Sequence, residues 1–430
     1  MTTNHLTHLA EIAGRFQIEG YLLDASPYGS RHINDTYLAA YRPPNGTARY
    51  IHQRINPHVF KKPEQVMQNI QRVSEHARAQ ILASGGDPRR ETLNLVPARD
   101  GRMFTVDSDG GTWRAYYFVD GTRTYDTAPN LHAVYQAAHA FGSFQRLLAS
   151  LPGERLHETI PNFHHTRQRF SAFMEALQAD SAHRAAGVKR EVNFLLKREA
   201  DASIVVDLLA QGRLPERVTH NDTKINNVLF DEASGQALCV IDLDTVMPGS
   251  ALYDFGDMVR AGAARSAEDE PETSKAGLDI ALFTQLARGY VRAVRDFLTP
   301  AEFELLAFAG KLITYEQALR FLGDYLNGDT YYKIHRPNHN LDRARTQIKL
   351  ITDMEKQMGV LEAIIANSDY LAAVPSRIAS AFAAMGRVAA SDVPLPLPAF
   401  EVRLHWWDHS APAAEDRWFR STILEAVQTL

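Results

Sequence analysis

Residues 218–257, VTHNDTKINNVLFDEASGQALCVIDLDTVMPGSALYDFGD, place several aspartates beside apolar segments that are expected to be buried. A buried carboxylate is unfavourable unless it is paired, hydrogen-bonded or bound to a metal ion. Two strand candidates, VLFD and ALCVIDLD, flank the turn EASG and predict a short β-hairpin within the stretch. The aspartates therefore indicate a functional site built around this hairpin.

The spacing of polar residues in this stretch fits the requirements of phosphoryl transfer. His220, Asp222 and Asn227 form the pattern H-x-D-x-x-x-x-N, and Asp242 follows an apolar strand candidate. Phosphoryl transfer needs a carboxylate that accepts the proton of the attacking hydroxyl, and oxygen ligands that hold Mg²⁺ against the nucleotide phosphates. Asp222 is therefore the predicted base, and Asn227 and Asp242 are the predicted metal and nucleotide ligands. The alternative is that these residues only form turns and caps.

The other charged residues of the stretch have less specific assignments. Lys224 lies inside the catalytic loop and is a candidate for stabilising the transferred phosphoryl group, with a surface role as the alternative. Asp244 is a candidate for binding the substrate or a second Mg²⁺. Asp254 is expected to brace the loop through hydrogen bonds. Asp257 belongs to the motif DFGD but is not the expected metal ligand, because Asp242 directly follows the strand.

Length and composition limit the class of protein. The chain has 430 residues, of which 45% are hydrophobic and 23% are charged, and its single cysteine excludes an intrachain disulfide. Its net charge of −5 gives no general attraction to nucleic acid or anionic membranes. The N-terminus does not resemble a secretory signal, and no apolar stretch reaches the length of a membrane span. We therefore expect a cytoplasmic protein that acts on small molecules.

The pattern of apolar residues predicts an α+β fold with two lobes and an extension. Short strand candidates dominate residues 1–119, together with one helix in which Val66 and Ile70 share an apolar face. Long amphipathic segments predict a mainly helical lobe over residues 120–358, interrupted by the β-hairpin. Residues 359–430 differ in character and include a proline-rich segment, so they are predicted to form a C-terminal extension, without an assigned role.

The catalytic stretch resembles a known superfamily. THNDTKINNVLFD and VIDLDTVMPGSALYDFGD are similar to the aminoglycoside phosphotransferases and choline kinases, and more narrowly to the N-acetylhexosamine 1-kinases. The segments GSRHINDTYL, FVDGTRTYD and LRFLGDYLNGDTYYKIHR extend the narrower resemblance. It implies a protein-kinase-like fold with ATP between the lobes. It also implies an ATP- and Mg²⁺-dependent kinase that phosphorylates the anomeric hydroxyl of GlcNAc or GalNAc.

The same resemblance implies where the N-terminal lobe contacts the nucleotide. YGSRHINDTY would be the hairpin loop over the phosphates, with Ser30 as a nucleotide contact and His32 near the sugar, although a solvated histidine is the alternative. Arg31 stands where this subfamily is expected to have a second glycine. Because a side chain restricts the backbone conformations that glycine reaches, Arg31 is expected to affect nucleotide affinity more than chemistry.

Two further nucleotide contacts follow from the resemblance. Arg54 stands where a strand cation would reach the phosphates, with a solvated strand residue as the alternative, and either Glu64 or Glu75 would be its helix partner. The backbone from Tyr117 to Val119 would form the hinge that meets adenine.

The acceptor contacts are expected from the helical lobe. Arg320 and Asp324 share a helix face, and Tyr331 follows shortly afterwards. A simple salt bridge along the helix is the alternative for the first two. The resemblance favours Arg320 and Tyr331 as groups that face the sugar and its phosphate. Two other functions stay open: a kinase for an amino alcohol or aminoglycoside, and a nucleotide-binding pseudokinase.

Overall fold

Five antiparallel strands form the N-terminal sheet of the computed structural model, which describes residues 9–29 and 33–367. In spatial order they are β1 (Tyr21–Pro27), β2 (Asp35–Arg42), β3 (Ala48–Arg54), β5 (Thr112–Tyr117) and β4 (Thr105–Val106). The turn PPNG joins β2 to β3, and Gly46 adopts a φ of 96°, which glycine tolerates without steric cost. The hairpin predicted around this turn is confirmed.

One long helix, α1 (Pro63–Ala83), follows β3 and completes the N-terminal lobe. Pro63 stands in its first turn, where its missing N–H costs no hydrogen bond. Val66, Ile70 and Val73 lie on the buried face at helical spacing, as the sequence predicts. This face joins the large core that α1 shares with the helical region.

The rest of the described chain is mainly helical. Its helices are α2 (Leu131–Leu148), α3 (Thr166–Ala179), α4 (Lys189–Leu196), α5 (Asp201–Ala210), α6 (Ala251–Gly262), α7 (Ile280–Val294), α8 (Pro300–Glu304), α9 (Leu306–Leu326), α10 (His339–Lys356) and α11 (Met358–Ala366). Helix α9 is buried on most of its faces and packs against α3, α6 and α10, so it forms the centre of this lobe.

Two small sheets lie within the helical lobe and carry the catalytic stretch. Strand β8 (Val228–Asp231) pairs with β9 (Ala237–Val240), and β6 (Thr122–Arg123) extends this sheet. Strand β7 (Arg217–Thr219) pairs separately with β10 (Met247–Gly249). The predicted β-hairpin is therefore confirmed, and so is the α+β class with an antiparallel N-terminal lobe.

The helical lobe continues beyond the predicted boundary at residue 358. Leu361 and Ile365 of α11 are buried in the main core, because their apolar face packs against α7 and α9. The remainder of the predicted extension, from residue 368, lies outside the described residues. Within residues 9–29 and 33–367, no helix combines the length and apolarity needed to cross a bilayer.

Candidate active site

The catalytic loop, residues 220–227, follows β7 and is held in place by a carboxylate from the first turn of α6. Asp254 is fully buried, and its carboxylate accepts hydrogen bonds from the backbone N–H of His220 at 3.0 Å and of Asn221 at 2.7 Å. Asn221 has a φ of 65°, a conformation that an asparagine tolerates better than most residues. The bracing role predicted for Asp254 is confirmed by these bonds.

A second carboxylate of α6 holds the next part of the loop. Asp257 accepts a hydrogen bond from the backbone N–H of Thr223 at 3.0 Å, and its other oxygen pairs with Arg260 at 2.8 Å. Both oxygens therefore have protein partners. This arrangement agrees with the expectation that Asp257 is not the metal ligand, despite its place in the DFGD motif.

The predicted base lies in the centre of the braced loop. Asp222 Oδ1 is 2.7 Å from the ammonium of Lys224, and Asp222 Oδ2 accepts a hydrogen bond from Asn227 Nδ2 at 3.1 Å. Burial raises the pKa of Asp222, but the charge and hydrogen bond of Lys224, together with the charges of His220 and Arg260, outweigh this effect, so the pKa lies below its ordinary value. Asp222 is therefore ionised at neutral pH and able to accept a proton from a bound hydroxyl.

Asp242 follows β9 and lies within electrostatic reach of the base. Its backbone adopts a φ of 60° and a ψ of 58°. The residue remains exposed, yet the surrounding protein displaces enough water to raise its pKa to about 7, and the negative charges of Asp244 and Asp222 add to the rise. A cation beside Asp242 would relieve this repulsion.

The donor set suits Mg²⁺ rather than a metal held by protein alone. Among residues 9–29 and 33–367, no three His, Cys, Asp or Glu side chains form a cluster with metal-binding geometry. Mg²⁺ instead takes one or two protein oxygens together with phosphates and water. Asn227, which is buried beside Asp222, and Asp242 provide such a pair of ligands.

In the N-terminal sheet, the arginine that lies near the catalytic stretch is Arg114 and not the predicted Arg54. Arg54 on β3 lies opposite Trp113, and its guanidinium is 3.7 Å from Asp107 on the face that packs against the N-terminal segment. Arg114 on β5 lies on the opposite face, where it pairs with Asp244. The structure therefore brings Arg114, and not Arg54, to residues 242–246, which follow β9 and are called the metal loop because Asp242 is the predicted ligand.

Neither helix carboxylate proposed as a partner for Arg54 takes that role. Glu64 is exposed, and Glu75 is exposed and accepts a hydrogen bond from Gln71. Helix α1 instead buries Asn69, which donates to the backbone carbonyl of Val246 at 3.0 Å. Helix α1 thus contacts the metal loop through an amide.

The segment predicted to form the hinge begins at the last residue of β5 and is held by hydrogen bonds to its backbone. The N–H of Tyr117 donates to Asn94 at 3.0 Å, and the carbonyl of Val119 accepts from the Thr122 hydroxyl at 2.7 Å. Tyr117 is exposed and Val119 is buried. Two other predicted contacts, Ser30 and His32, lie outside the described residues, as does Arg31.

In the region predicted to bind the acceptor, Arg320 lies among aromatic rings. Its guanidinium is 5.6 to 5.9 Å from the ring centres of Phe163, Tyr331 and Tyr332 and donates to Gln317 at 3.0 Å. Tyr331 is 69% exposed. These residues form a partly open polar and aromatic surface, and the structure brings Arg320 and Tyr331 together as predicted.

Asp324 lies in the protein interior and holds this surface in place. Its carboxylate accepts hydrogen bonds from the backbone N–H groups of Thr330, Tyr331 and Tyr332 at 2.8 to 3.0 Å, and from Asn340 at 2.9 Å. A buried carboxylate with four donors has little capacity left for a ligand. Asp324 therefore fixes the position of Tyr331 instead of pairing with Arg320 along the helix.

A known family of phosphotransferases matches the part of the chain that carries this site. The model of the phosphotransferase enzyme family (APH) matches residues 24–296, which is more than half of the chain and includes the catalytic loop and Asp242. The chain belongs to this phosphotransferase family. The predicted superfamily is thereby confirmed, while the narrower N-acetylhexosamine 1-kinase assignment stays a prediction.

One solved structure supports the fold of this phosphotransferase. An aminoglycoside phosphotransferase from Alicyclobacillus acidocaldarius is 15% identical with a TM-score of 0.54, over 84% of this chain and 96% of that chain. A likeness at this identity shows the fold alone, and it confirms the predicted protein-kinase-like architecture. A spectinomycin phosphotransferase in complex with ADP and spectinomycin is 11% identical with a TM-score of 0.49, over 85% and 98% of the two chains. A choline kinase from Streptococcus pneumoniae is 12% identical with a TM-score of 0.45, over 83% and 100%.

One residue of this phosphotransferase that the sequence interpretation missed links the two ends of the site. His164 Nδ1 lies 2.8 Å from Glu316 on α9, and His164 Nε2 lies 3.2 Å from the carbonyl oxygen of Asn221. Because both partners are acceptors, both ring nitrogens carry protons and the imidazole is cationic. Burial lowers the pKa of His164, but the charge and hydrogen bond of Glu316, together with the charge of Asp257 and the hydrogen bond to Asn221, outweigh burial, and the net pKa is raised.

Proposed function

We propose that the chain is an ATP- and Mg²⁺-dependent kinase that converts an N-acetylhexosamine, GlcNAc or GalNAc, to its 1-phosphate. The observation that carries the kinase activity is the ionised Asp222, paired with Lys224 and next to Asn227 and Asp242. Family membership supports phosphoryl transfer. The sugar assignment rests on the resemblance of the acceptor segments and on the character of the surface around Arg320.

The catalytic loop supplies the groups that act on the acceptor hydroxyl. The Asp222 carboxylate accepts the proton of the anomeric hydroxyl, which is more acidic than an ordinary alcohol and so needs only a weak base. Lys224 keeps Asp222 ionised and stands within reach of a transferred phosphoryl group. Asn227 and Asp242 would hold Mg²⁺, which neutralises the charge of the nucleotide phosphates.

The nucleotide is expected between the N-terminal sheet and the catalytic loop. We propose that the backbone from Tyr117 to Val119 meets adenine, and that the loop containing Ser30 covers the phosphates. Because Arg54 faces Asp107 on the other side of the sheet, we do not assign it to the phosphates. The positive charges expected next to the nucleotide phosphates are then those of Lys224 and Mg²⁺.

The acceptor surface favours a neutral sugar over a cationic substrate. Arg169 and Arg320 lie close enough that Arg320 contributes to lowering the pKa of Arg169, after the larger effect of burial. The cationic His164 adjoins them, and Glu316 is the carboxylate that pairs with it. A choline, amino alcohol or aminoglycoside would be repelled by these charges. Arg320 and the exposed ring of Tyr331 suit hydroxyl groups and the face of a sugar ring.

The test is a substrate panel with identification of the product. Purified protein, ATP and MgCl₂ are incubated with GlcNAc, GalNAc, 1-deoxy-GlcNAc, choline or kanamycin, and ADP release is measured. We expect turnover of a hexosamine, a ³¹P NMR spectrum of a sugar 1-phosphate, and no turnover of 1-deoxy-GlcNAc. Preference for choline or kanamycin, or a 6-phosphate product, would exclude the sugar 1-kinase. Absence of turnover together with intact ADP binding would favour the pseudokinase.

A further inference from the structure

Three elements of the N-terminal lobe converge on one short segment of the metal loop. Asn34, which precedes β2, donates from Nδ2 to Asp244 Oδ2 at 2.5 Å, and Arg114 on β5 donates to Asp244 Oδ1. Asn69 on α1 donates to the carbonyl of Val246. All three N-terminal side chains are buried, so these contacts join the interiors of the two lobes.

Asp244 is poorly placed to be a metal or substrate ligand. Its side chain is only 3% exposed, and both of its carboxylate oxygens already have buried donors. Arg114, which is 1% exposed, neutralises its charge. Removing the carboxylate would leave this guanidinium buried without a counter-charge, which is costly. The Arg114–Asp244 ion pair therefore has a structural role.

The position of Asp244 gives this pair a specific consequence. Asp244 is separated from Asp242 by one residue, within the short turn that follows β9. Asn34 also ties the start of β2 to Asn56, because its Oδ1 accepts the Asn56 backbone N–H at 2.9 Å. The same side chains thus fix the predicted metal ligand, the start of β2 and the inner face of the sheet.

We infer that Asn34, Arg114 and Asp244 form an interlobe latch that positions Asp242 and the nucleotide-covering side of the N-terminal lobe, without contacting metal or substrate. Asp244 is accordingly a positioning residue. The buried cation–carboxylate pair thus joins Arg114 to Asp244 across the lobes, whereas the sequence interpretation expected Arg54 to pair with a glutamate of α1. This inference rests on the proposed nucleotide site, and it is independent of which acceptor is phosphorylated.

The test measures ADP affinity and Mg²⁺ dependence separately. Asp244→Asn, Arg114→Gln and the double variant are compared with Asp242→Asn by calorimetric titration of ADP at saturating Mg²⁺, and of MgCl₂ at saturating ADP. We expect both single latch variants to weaken ADP binding about tenfold, and the double variant to be no weaker than either single variant, because the two residues act as one unit. The Mg²⁺ midpoint should move by the same small factor, about threefold, in Asp244→Asn and Arg114→Gln, because Asp242 is less well positioned in both, and by more than about tenfold in Asp242→Asn, which loses the ligand itself.

A matched control separates the latch from general destabilisation. Arg198 and Glu355 form a bidentate ion pair at 2.6 to 2.8 Å in the helical lobe. Glu355→Gln should lower the melting temperature and leave ADP affinity unchanged. If a latch variant does not fold, Asn34→Ala is the milder substitution, because it removes the hydrogen bonds to Asp244 and Asn56 but leaves the buried Arg114–Asp244 ion pair intact. It should weaken ADP binding about threefold.

Two results would overturn the latch. One is a shift of the Mg²⁺ midpoint in Asp244→Asn as large as that in Asp242→Asn, with no shift in Arg114→Gln, since Asp244 would then be a ligand. The other is unchanged ADP affinity in the latch variants or in Asn34→Ala. If the unaltered protein does not bind ADP, the proposed function fails and the latch fails with it. Loss of sugar turnover alone leaves the latch intact.

Discussion

In the catalytic loop, the backbone N–H groups of His220, Asn221 and Thr223 all donate to buried carboxylates of α6, whereas at the acceptor end Tyr331 is 69% exposed. The phosphoryl-transfer centre is thus held from several directions within the core. The acceptor surface depends on Asp324, which holds one short segment from inside. The catalytic loop is therefore held rigidly by the core. The proposed acceptor surface is more exposed, so substitutions there can change substrate preference with little effect on the fold.

From this contrast we predict that substitutions in the transfer centre abolish turnover. The largest effect is expected from Asp242→Ala, because the nucleotide phosphates lose the ligand that places their counter-ion. Turnover should fall below detection, and ADP with Mg²⁺ should no longer raise the melting temperature. Asp231→Ala in the same hairpin is the matched control, because Asp231 pairs with Arg90 and should not affect metal binding. Mg²⁺-dependent stabilisation that persists in Asp242→Ala would contradict the metal assignment.

The next largest effect is expected from Asp222→Asn. Loss of a general base typically lowers turnover about 10²- to 10⁴-fold. ADP affinity and the melting temperature should change little, because the backbone of the loop remains bonded to α6. Steady-state kinetics and calorimetry together check this outcome. A kcat within about fivefold of the unaltered enzyme would be incompatible with Asp222 as the base.

At the acceptor end, Asp324→Asn should act on KM more than on kcat. An asparagine keeps one acceptor oxygen where the carboxylate has two, so part of the Thr330–Tyr332 backbone loses its partner. A hydrogen bond to a charged group contributes about 1.5–3 kcal/mol, which corresponds to about tenfold or more in sugar KM. The KM for ATP is the internal control. A loss of about tenfold in kcat, with an unchanged KM for the sugar, would show that Asp324 belongs to the transfer centre.

The smallest effect is a pH dependence at His164, which connects the two regions. Its pKa is raised above the ordinary 6.5 in the folded protein, so its stabilising contribution is complete below pH 6.5 and is lost as pH rises through the folded pKa. The melting temperature of the unaltered protein should exceed that of His164→Gln most at pH 6, and the difference should shrink toward alkaline pH. Glu316 and Asp257 are the charged groups that face the imidazole. A difference that grows with rising pH would contradict the cationic state.

The residues of the proposed transfer centre could be recognised as one group because they are close together in the chain. His220, Asp222 and Asn227 lie within one loop, and Asp242 lies two residues beyond the end of the hairpin strand that returns to it. The chemistry demands particular residue types at particular spacings, so the motif alone predicted both the reaction class and the lobe that carries it. The helical periodicity of α1 and the turn signals of the N-terminal strands likewise predicted the α+β class.

The tertiary structure decided which residues of distant segments meet. Arg54 and Arg114 are both strand arginines, and their faces depend on strand pairing: Arg54 lies opposite Trp113, while Arg114 lies opposite Gln53. A shift of one residue in a strand reverses the face to which a side chain points, so composition cannot distinguish the two. His164 meets the catalytic loop across 57 residues of chain, and Arg114 meets Asp244 across 130. Such contacts follow from how the elements pack, because no local spacing encodes them.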